Sequence, residues 1–163
     1  MRLTPLEDGL KEQCLVIFNQ IIAEGVAFPW EQPFTLADFD ALYLPGEPVW
    51  CAVDDNGRVL GFVHIHPNSA GRCAHIANCG YSVRRDARSK GVGRALVLKS
   101  LEVARAEGFK GIQFNAVVAD NAAAIALYQS LGFQIIGTVP NGFRQGTKTR
   151  PRFVDMHIMY RAL

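Results

Sequence analysis

Arg88-Ser89-Lys90-Gly91-Val92-Gly93 joins basic side chains to two glycines, between a strand-like segment, Ile76 to Val83, and an amphipathic stretch, Arg94 to Gly108. A glycine-bearing turn that opens a helix aims several backbone N–H groups, and the positive helix end, at one spot. Such a spot suits a phosphate or pyrophosphate. Gly91 and Gly93 permit unusual backbone angles and close approach, and Arg88, Lys90 and Arg94 supply charge. A glycine turn with scattered surface basics is the plainer reading of so short a pattern.

A second segment, Asn121 to Phe133, has a polar start, a glycine stop at Gly132, and Ala124, Leu127, Tyr128 and Leu131 at helical spacing on one face. Tyr128 carries the only ionisable group on that face. A phenol of ordinary pKa, about 10, is protonated at neutral pH and can donate to a departing anion; core packing is its other reading. His64 and His66 lie at i, i+2 on one strand-like run, with His75 ahead of the next. Two histidines so spaced face one side, as in some metal sites, but no suitably spaced carboxylate or third ligand accompanies them. They read as structural or substrate-pocket histidines, with no metal expected. An unperturbed histidine titrates at about 6.5, which keeps His75 as a candidate base.

These residues need elements to hold them. Thr4-Pro5-Leu6-Glu7 has the form of a capping box, followed by a helix with Leu10, Cys14, Ile17, Phe18, Ile21 and Ile22 on one face and Gly25 at its end. Phe28 to Pro33 is an aromatic loop, Leu36 to Tyr43 a short helix, and Pro45-Gly46-Glu47-Pro48 its stop. Val49–Val53 and Arg58–His66 read as a hairpin around Asp55-Asn56-Gly57. Ala74–Val83 is the next strand, Gly111–Val118 another, Asp120–Leu131 a helix, and Gln134–Val139 and Phe153–Tyr160 close the series as strands.

The 163 residues fit a single domain spanning 1–163, with 49% hydrophobic and 20% charged residues, an ordinary globular balance. A net charge of +2 argues for neither nucleic acid nor an anionic membrane as partner. The basic run Arg144 to Arg152 reads as a solvated loop, with an anionic ligand as the alternative. No stretch approaches the roughly 20 apolar residues of a membrane span, and Glu7, Asp8, Lys11 and Glu12 interrupt any signal-peptide core. Cys14, Cys51, Cys73 and Cys79 form no C-x-x-C pair and read as reduced cysteines of a cytoplasmic protein.

The R-x-x-G-x-G turn, about thirty residues before the N-x-x-A-x-x-L-Y-x-x-x-G-F helix, resembles the GNAT superfamily of acetyl-CoA-dependent N-acetyltransferases. The motifs cover Ile76 to Phe133; the remainder follows by element order. The resemblance implies an α/β (α+β) GNAT fold: a mixed, mostly antiparallel sheet with helices on both faces. The strands flanking the glycine turn and its helix would splay to form an acetyl-CoA slot. Ser89, Lys90, Gly91, Val92, Gly93, Arg94 and Arg88 would hold the pyrophosphate. A backbone N–H among Tyr81, Ser82 and Val83 would meet the thioester carbonyl, and the same strand would pair with the pantetheine amides. Tyr128 matches the tyrosine that stands beside the CoA sulfur in many members.

Many relatives carry a Glu or Asp in the strand matching Ile76 to Val83; this strand has none, so the base lies elsewhere or the amine loses its proton through water. A narrower likeness joins Gly71-Arg72-Cys73-Ala74-His75, Asn78, Phe114-Asn115 and Ala119-Asp120-Asn121 to the fungal acetyltransferases that detoxify proline analogues such as azetidine-2-carboxylate. By that likeness Asn78 and Asn115 position the acceptor amine and Asn121 holds CoA. On their own, Asn115 reads as a strand-end residue and Asn121 as a helix N-cap.

The resulting expectation is acetyl transfer from acetyl-CoA to a small amino acid or amino-acid analogue, by direct attack in a ternary complex. Acetylation of a protein N-terminus or lysine is the alternative within enzymes, and a non-catalytic CoA-binding sensor the alternative outside them. The superfamily often dimerises, so a homodimer is a further expectation.

Overall fold

A computed structural model of the chain describes residues 1–43 and 46–163. Seven strands form one sheet: β1 (Arg2–Pro5), β2 (Val49–Val53), β3 (Val59–Pro67), β4 (Ile76–Val83), β5 (Gly111–Val118), β6 (Gln134–Thr147) and β7 (Arg150–Ala162). Their order is β1-β2-β3-β4-β5-β7-β6. All neighbours are antiparallel except β4 and β5, which helix α3 (Val92–Ala106) connects as a parallel crossover. Helices α1 (Lys11–Glu24), α2 (Leu36–Leu42) and α4 (Ala122–Ser130) complete the α-helices, and three single turns of 3-10 helix stand at Asp8–Leu10, Gly71–Cys73 and Arg85–Ala87.

Period-two alternation along the strands divides the apolar residues between two layers. Cys51, Val53, Val59 and Phe62 join Cys14, Ile17, Phe18, Ile21 and Ile22 of α1 and Phe39 of α2. Ala52, Val63, Ile65, Ala77, Cys79, Ile112 and Phe114 join Leu96, Val97, Leu101 and Ala104 of α3, with Ile125, Leu127 and Tyr128 of α4 packed against them. The sheet thus has an α1/α2 face and an α3/α4 face, as the expected fold requires.

Local chemistry sets the boundaries. In the β2–β3 turn Asp54 Oδ1 accepts from the Asn56 and Arg58 N–H groups, both at 2.9 Å, and Gly57 takes φ +81°. Gly25 ends α1 in the left-handed region, as expected. A capping box that the sequence reading passes over, Thr35 with Asp38, opens α2. The stop placed at Pro45 lies outside the described residues.

Two expectations need correction. Thr4-Pro5-Leu6-Glu7 does not cap a helix: Thr4 is buried in β1 opposite Cys51, and α1 begins only at Lys11. Sheet pairing there outweighs the local capping preference. The closing strands are also far longer than expected, and the basic run Arg144 to Arg152 is their paired ribbon rather than a loop, from Phe143↔Val154 to Thr147↔Arg150. Polar residues on both faces hide such a ribbon from any apolar pattern. All four cysteines are free; Cys14 and Cys51 stand 3.6 Å apart across α1 and β2. Among the described residues, no helix is long and apolar enough to cross a membrane.

Candidate active site

The sheet opens where β4 and β5 part. Their pairing is confined to Ile76↔Gly111 and Ala77↔Ile112. Beyond Ala77 the strands diverge, as the expected slot demands. The Arg84 N–H donates to the Leu60 carbonyl at 2.9 Å, so Arg84, Ser82, Gly80 and Asn78 turn their backbone groups toward β3. By the alternation of an antiparallel ladder, Cys79, Tyr81 and Val83 then turn theirs toward the gap. Two of the three are already occupied in part: the Cys79 N–H donates to Asn78 Oδ1 at 2.8 Å, and the Val83 carbonyl accepts from Arg88 Nε at 3.3 Å. Tyr81 is left to present its backbone to the opening. Ser82 does not: its amide faces β3, and among the described residues its buried hydroxyl has no hydrogen-bond partner.

Tyr128 stands on the α3/α4 side of this opening. Its ring centroid lies 4.6 Å from that of Phe114 and 5.9 Å from that of Tyr81. Burial, and then the nearby Cys79 thiol, push its phenol well above the ordinary tyrosine range. The group is therefore protonated at neutral pH. Among the described residues no hydrogen bond engages its hydroxyl, whereas the Tyr81 hydroxyl is tied to Ser100 Oγ at 2.7 Å.

Asn78 stands on the opposite, α1/α2 side, as the first β4 residue past the last β5 pair. Asn115 lies on the same side of β5, but its partners are Asn68 Oδ1, at 2.6 Å from its amide nitrogen, and the Gln113 amide, at 2.8 Å. No hydrogen bond joins Asn115 to Asn78. Gln113 and Asn68 were not singled out from sequence, although Gln113-x-Asn115 spacing alone puts both side chains on one strand face.

The glycine turn enters α3 through two left-handed residues. Ser89 has φ +59° and Gly91 φ +83°, and among the described residues no side chain caps the first turn of α3. Gly93 also faces α4: a Cβ there would stand 3.4 Å from Leu127 Cδ2. Lys90 and Arg94 are exposed, and Arg94 also reaches Ser130 Oγ at 3.3 Å. Arg88 is engaged elsewhere, strapping the loop to α1 through Glu24 at 2.8 Å. Asn121 is a helix N-cap, accepting from the Ala124 N–H at 3.3 Å.

The histidines separate. His75 is exposed ahead of β4, at the closed end of the V. His64 is buried, 2.6 Å from Glu47 through Nε2 and stacked on His66 with centroids 4.7 Å apart. Burial and His66 pull it down to about 4, against the opposing pull of Glu47. Among the described residues no group of three or more His, Cys, Asp or Glu is placed to hold a metal.

The family model "Acetyltransferase (GNAT) family" matches residues 15–133. A solved GCN5-related N-acetyltransferase from Kribbella flavida superposes with TM-score 0.93 at 37% identity, covering 99% of this chain and 97% of its own. The L-methionine sulfoximine/L-methionine sulfone acetyltransferase of Pseudomonas paraeruginosa is 35% identical over 133 residues, 77% of this chain and 76% of that protein. The N-acetyltransferase aca1 of Schizosaccharomyces pombe is 38% identical over 107 residues, 66% of this chain but half of the fungal protein's length. This chain belongs to the GNAT family of acetyltransferases. The fungal likeness read from the motif segments has its counterpart in aca1.

Proposed function

We propose that this chain is an acetyl-CoA-dependent N-acetyltransferase acting on a small amino acid or amino-acid analogue, by direct attack in a ternary complex. The observation that carries the reading is the β4–β5 gap, with Tyr81 backbone groups facing it, Tyr128 on one side and Asn78 on the other. Amide formation from a thioester needs a neutral amine, a polarised carbonyl and a protonated leaving sulfur, all held in line. The Tyr81 N–H can donate to the carbonyl oxygen, and the protonated Tyr128 phenol can donate to the sulfur. Asn78 cannot titrate and orients the amine. The turn from Ser89 to Gly93, with Lys90 and Arg94, receives the pyrophosphate, and Asn121 adds its amide from the head of α4.

The small acceptor is favoured by what covers the α1/α2 side. Phe28, Trp30 and Phe34 pack around Phe18, with centroids 5.1 to 5.3 Å away, rather than lining an open groove. Arg144 and Lys148 of the β6–β7 ribbon pair with Glu31 of the same loop. A relative named for two modified amino acids, methionine sulfoximine and methionine sulfone, supports the same class. The cytoplasm is the proposed location, given the free cysteines. Exposed Ile135, Ile136 and Val139 on edge strand β6 support a homodimer.

Thiol release from acetyl-CoA, measured across free amino acids, polyamines and peptides, tests the reading. Turnover confined to free amino acids supports it. Turnover with peptides alone would move the assignment to protein acetylation, and CoA binding without turnover to a sensor.

A further inference from the structure

We propose that His66 is the group that takes the proton from the incoming amine, oriented from behind by His64 and Glu47; this rests on the acetyltransfer reading above. His66 is the direct cross-strand partner of Asn78, itself the first residue beyond the β4–β5 pairs. Paired residues on adjacent antiparallel strands share a face, with Cβ atoms about 4.5–5.5 Å apart. His66 therefore stands beside the residue at the mouth of the V, on the side away from Tyr128. One side of the sheet would take a proton and the other would give one.

The ring is prepared for the task. Its Nδ1 lies 2.9 Å from the Pro67 carbonyl, a partner that can only accept, so Nδ1 carries the hydrogen and Nε2 keeps its lone pair. His64 stacks on it at 4.7 Å with 26° between planes, and Tyr43 meets His64 edge-on at 4.5 Å. His64 in turn donates to Glu47, 2.6 Å away. Among the described residues the titratable group against His66 is His64, stacked on it from its own strand; Glu47 and Tyr43 contact His64 in turn, and β4 sets the neutral Asn78 opposite His66. His64, held neutral near pH 7, places no like charge against a protonated His66, and Glu47 supplies a carboxylate behind the pair. β4 carries no carboxylate that could act instead, and His75 lies at the closed end.

The protons balance. The amine arrives as R–NH3⁺ and gives one proton to His66 Nε2. Its lone pair forms the C–N bond, the C–S bond breaks, and Tyr128 protonates the sulfur. The second proton shed by nitrogen restores Tyr128, and His66 releases its own to water.

His66→Gln and His66→Ala test this in thiol release with a turned-over amine across pH. General base catalysis is typically worth 10²–10⁴-fold, so kcat/KM for the amine should fall at least about 100-fold, with CoA affinity unchanged. The acid limb of the wild-type pH profile should vanish, and imidazole should restore part of the rate to His66→Ala. Glu47→Gln should displace that limb rather than abolish it. Independently of turnover, ¹⁵N NMR of the neutral protein should show His66 with hydrogen on Nδ1. A His66→Gln enzyme with the wild-type rate and acid limb, a rate loss without imidazole rescue or profile change, or an Nε2–H tautomer would overturn the proposal. A wild-type protein that binds CoA yet releases thiol with no amine would remove the functional reading, and this role with it.

Discussion

His66 and Asn78 face each other across β3 and β4, one residue beyond the last pair that holds β4 to β5. That register places an imidazole and a primary amide together at the mouth of a gap in the sheet. The amide is partly spoken for, since its oxygen accepts from the Cys79 N–H. Its NH2 remains to meet a ligand, and its oxygen leaves the backbone only if something replaces that bond.

Asn78→Ala should therefore lower turnover with the true acceptor while leaving CoA affinity nearly intact, because misplaced nucleophiles cost rate even when binding survives. A loss of at least about tenfold in kcat/KM is expected. Asn121→Ala should do the reverse, weakening CoA and also loosening the start of α4, whose first turn it caps. Isothermal titration with CoA, run beside steady-state kinetics, distinguishes the two. An Asn78→Ala variant impaired only in CoA binding contradicts the acceptor role.

Tyr128→Phe removes one hydroxyl from a ring that keeps its contacts with Phe114, Tyr81 and Phe133. Fold and CoA affinity should persist, and turnover should drop by about tenfold or more where chemistry limits the rate. Wild-type turnover under that condition would return Tyr128 to packing alone.

Replacing Gly91 and Gly93 by larger residues should weaken CoA binding for two different reasons. At Gly91 the φ of +83° penalises any side chain, by about 1 kcal/mol or more, and pulls the loop away from its N–H geometry. At Gly93 a Cβ alone would make ordinary contact with Leu127 Cδ2 at 3.4 Å, so it is the bulk beyond Cβ that would crowd α4. Circular dichroism should show the helices retained while CoA affinity falls; undiminished affinity in a folded double variant would contradict the phosphate assignment.

His64 should give stability a pH dependence. Its folded value, about 4, lies below the ordinary histidine value of about 6.5, so the unfolded chain binds more protons between those two limits. Stability is then complete above about pH 6.5 and declines as pH falls toward 4, by roughly 3 kcal/mol at most. Urea midpoints measured across that window should show the decline, and His64→Gln should flatten it. An unchanged slope in the variant would assign the acid sensitivity to other groups.

The glycine turn and the motif helix were legible because their signals are local. Gly91 needs its left-handed angle within one turn, Asn121 caps the helix it begins, and β4 shows itself by alternation of apolar with small or polar residues. Where the signal is not local, sequence reasoning misled or fell silent. Thr4 looks like a cap yet pairs with Cys51, and the polar ribbon from Phe143 to Val154 shows no apolar period. Nothing local in the sequence announces that the Arg88 guanidinium pairs with Glu24, 64 positions away in the chain.

The sequence by itself determined which groups exist and which elements form: a glycine turn before a helix, a phenol on a helix face, and an asparagine but no carboxylate in the strand before the turn. Only tertiary structure decided which of them meet. Pairing between β4 and β5 stops after Ala77, and that single loss of register opens the gap, turns the Tyr81 backbone into it and sets Asn78 beside His66. Strand register is fixed by the sum of long-range packing on both sheet faces, and one step of slip would carry every side chain to the wrong side.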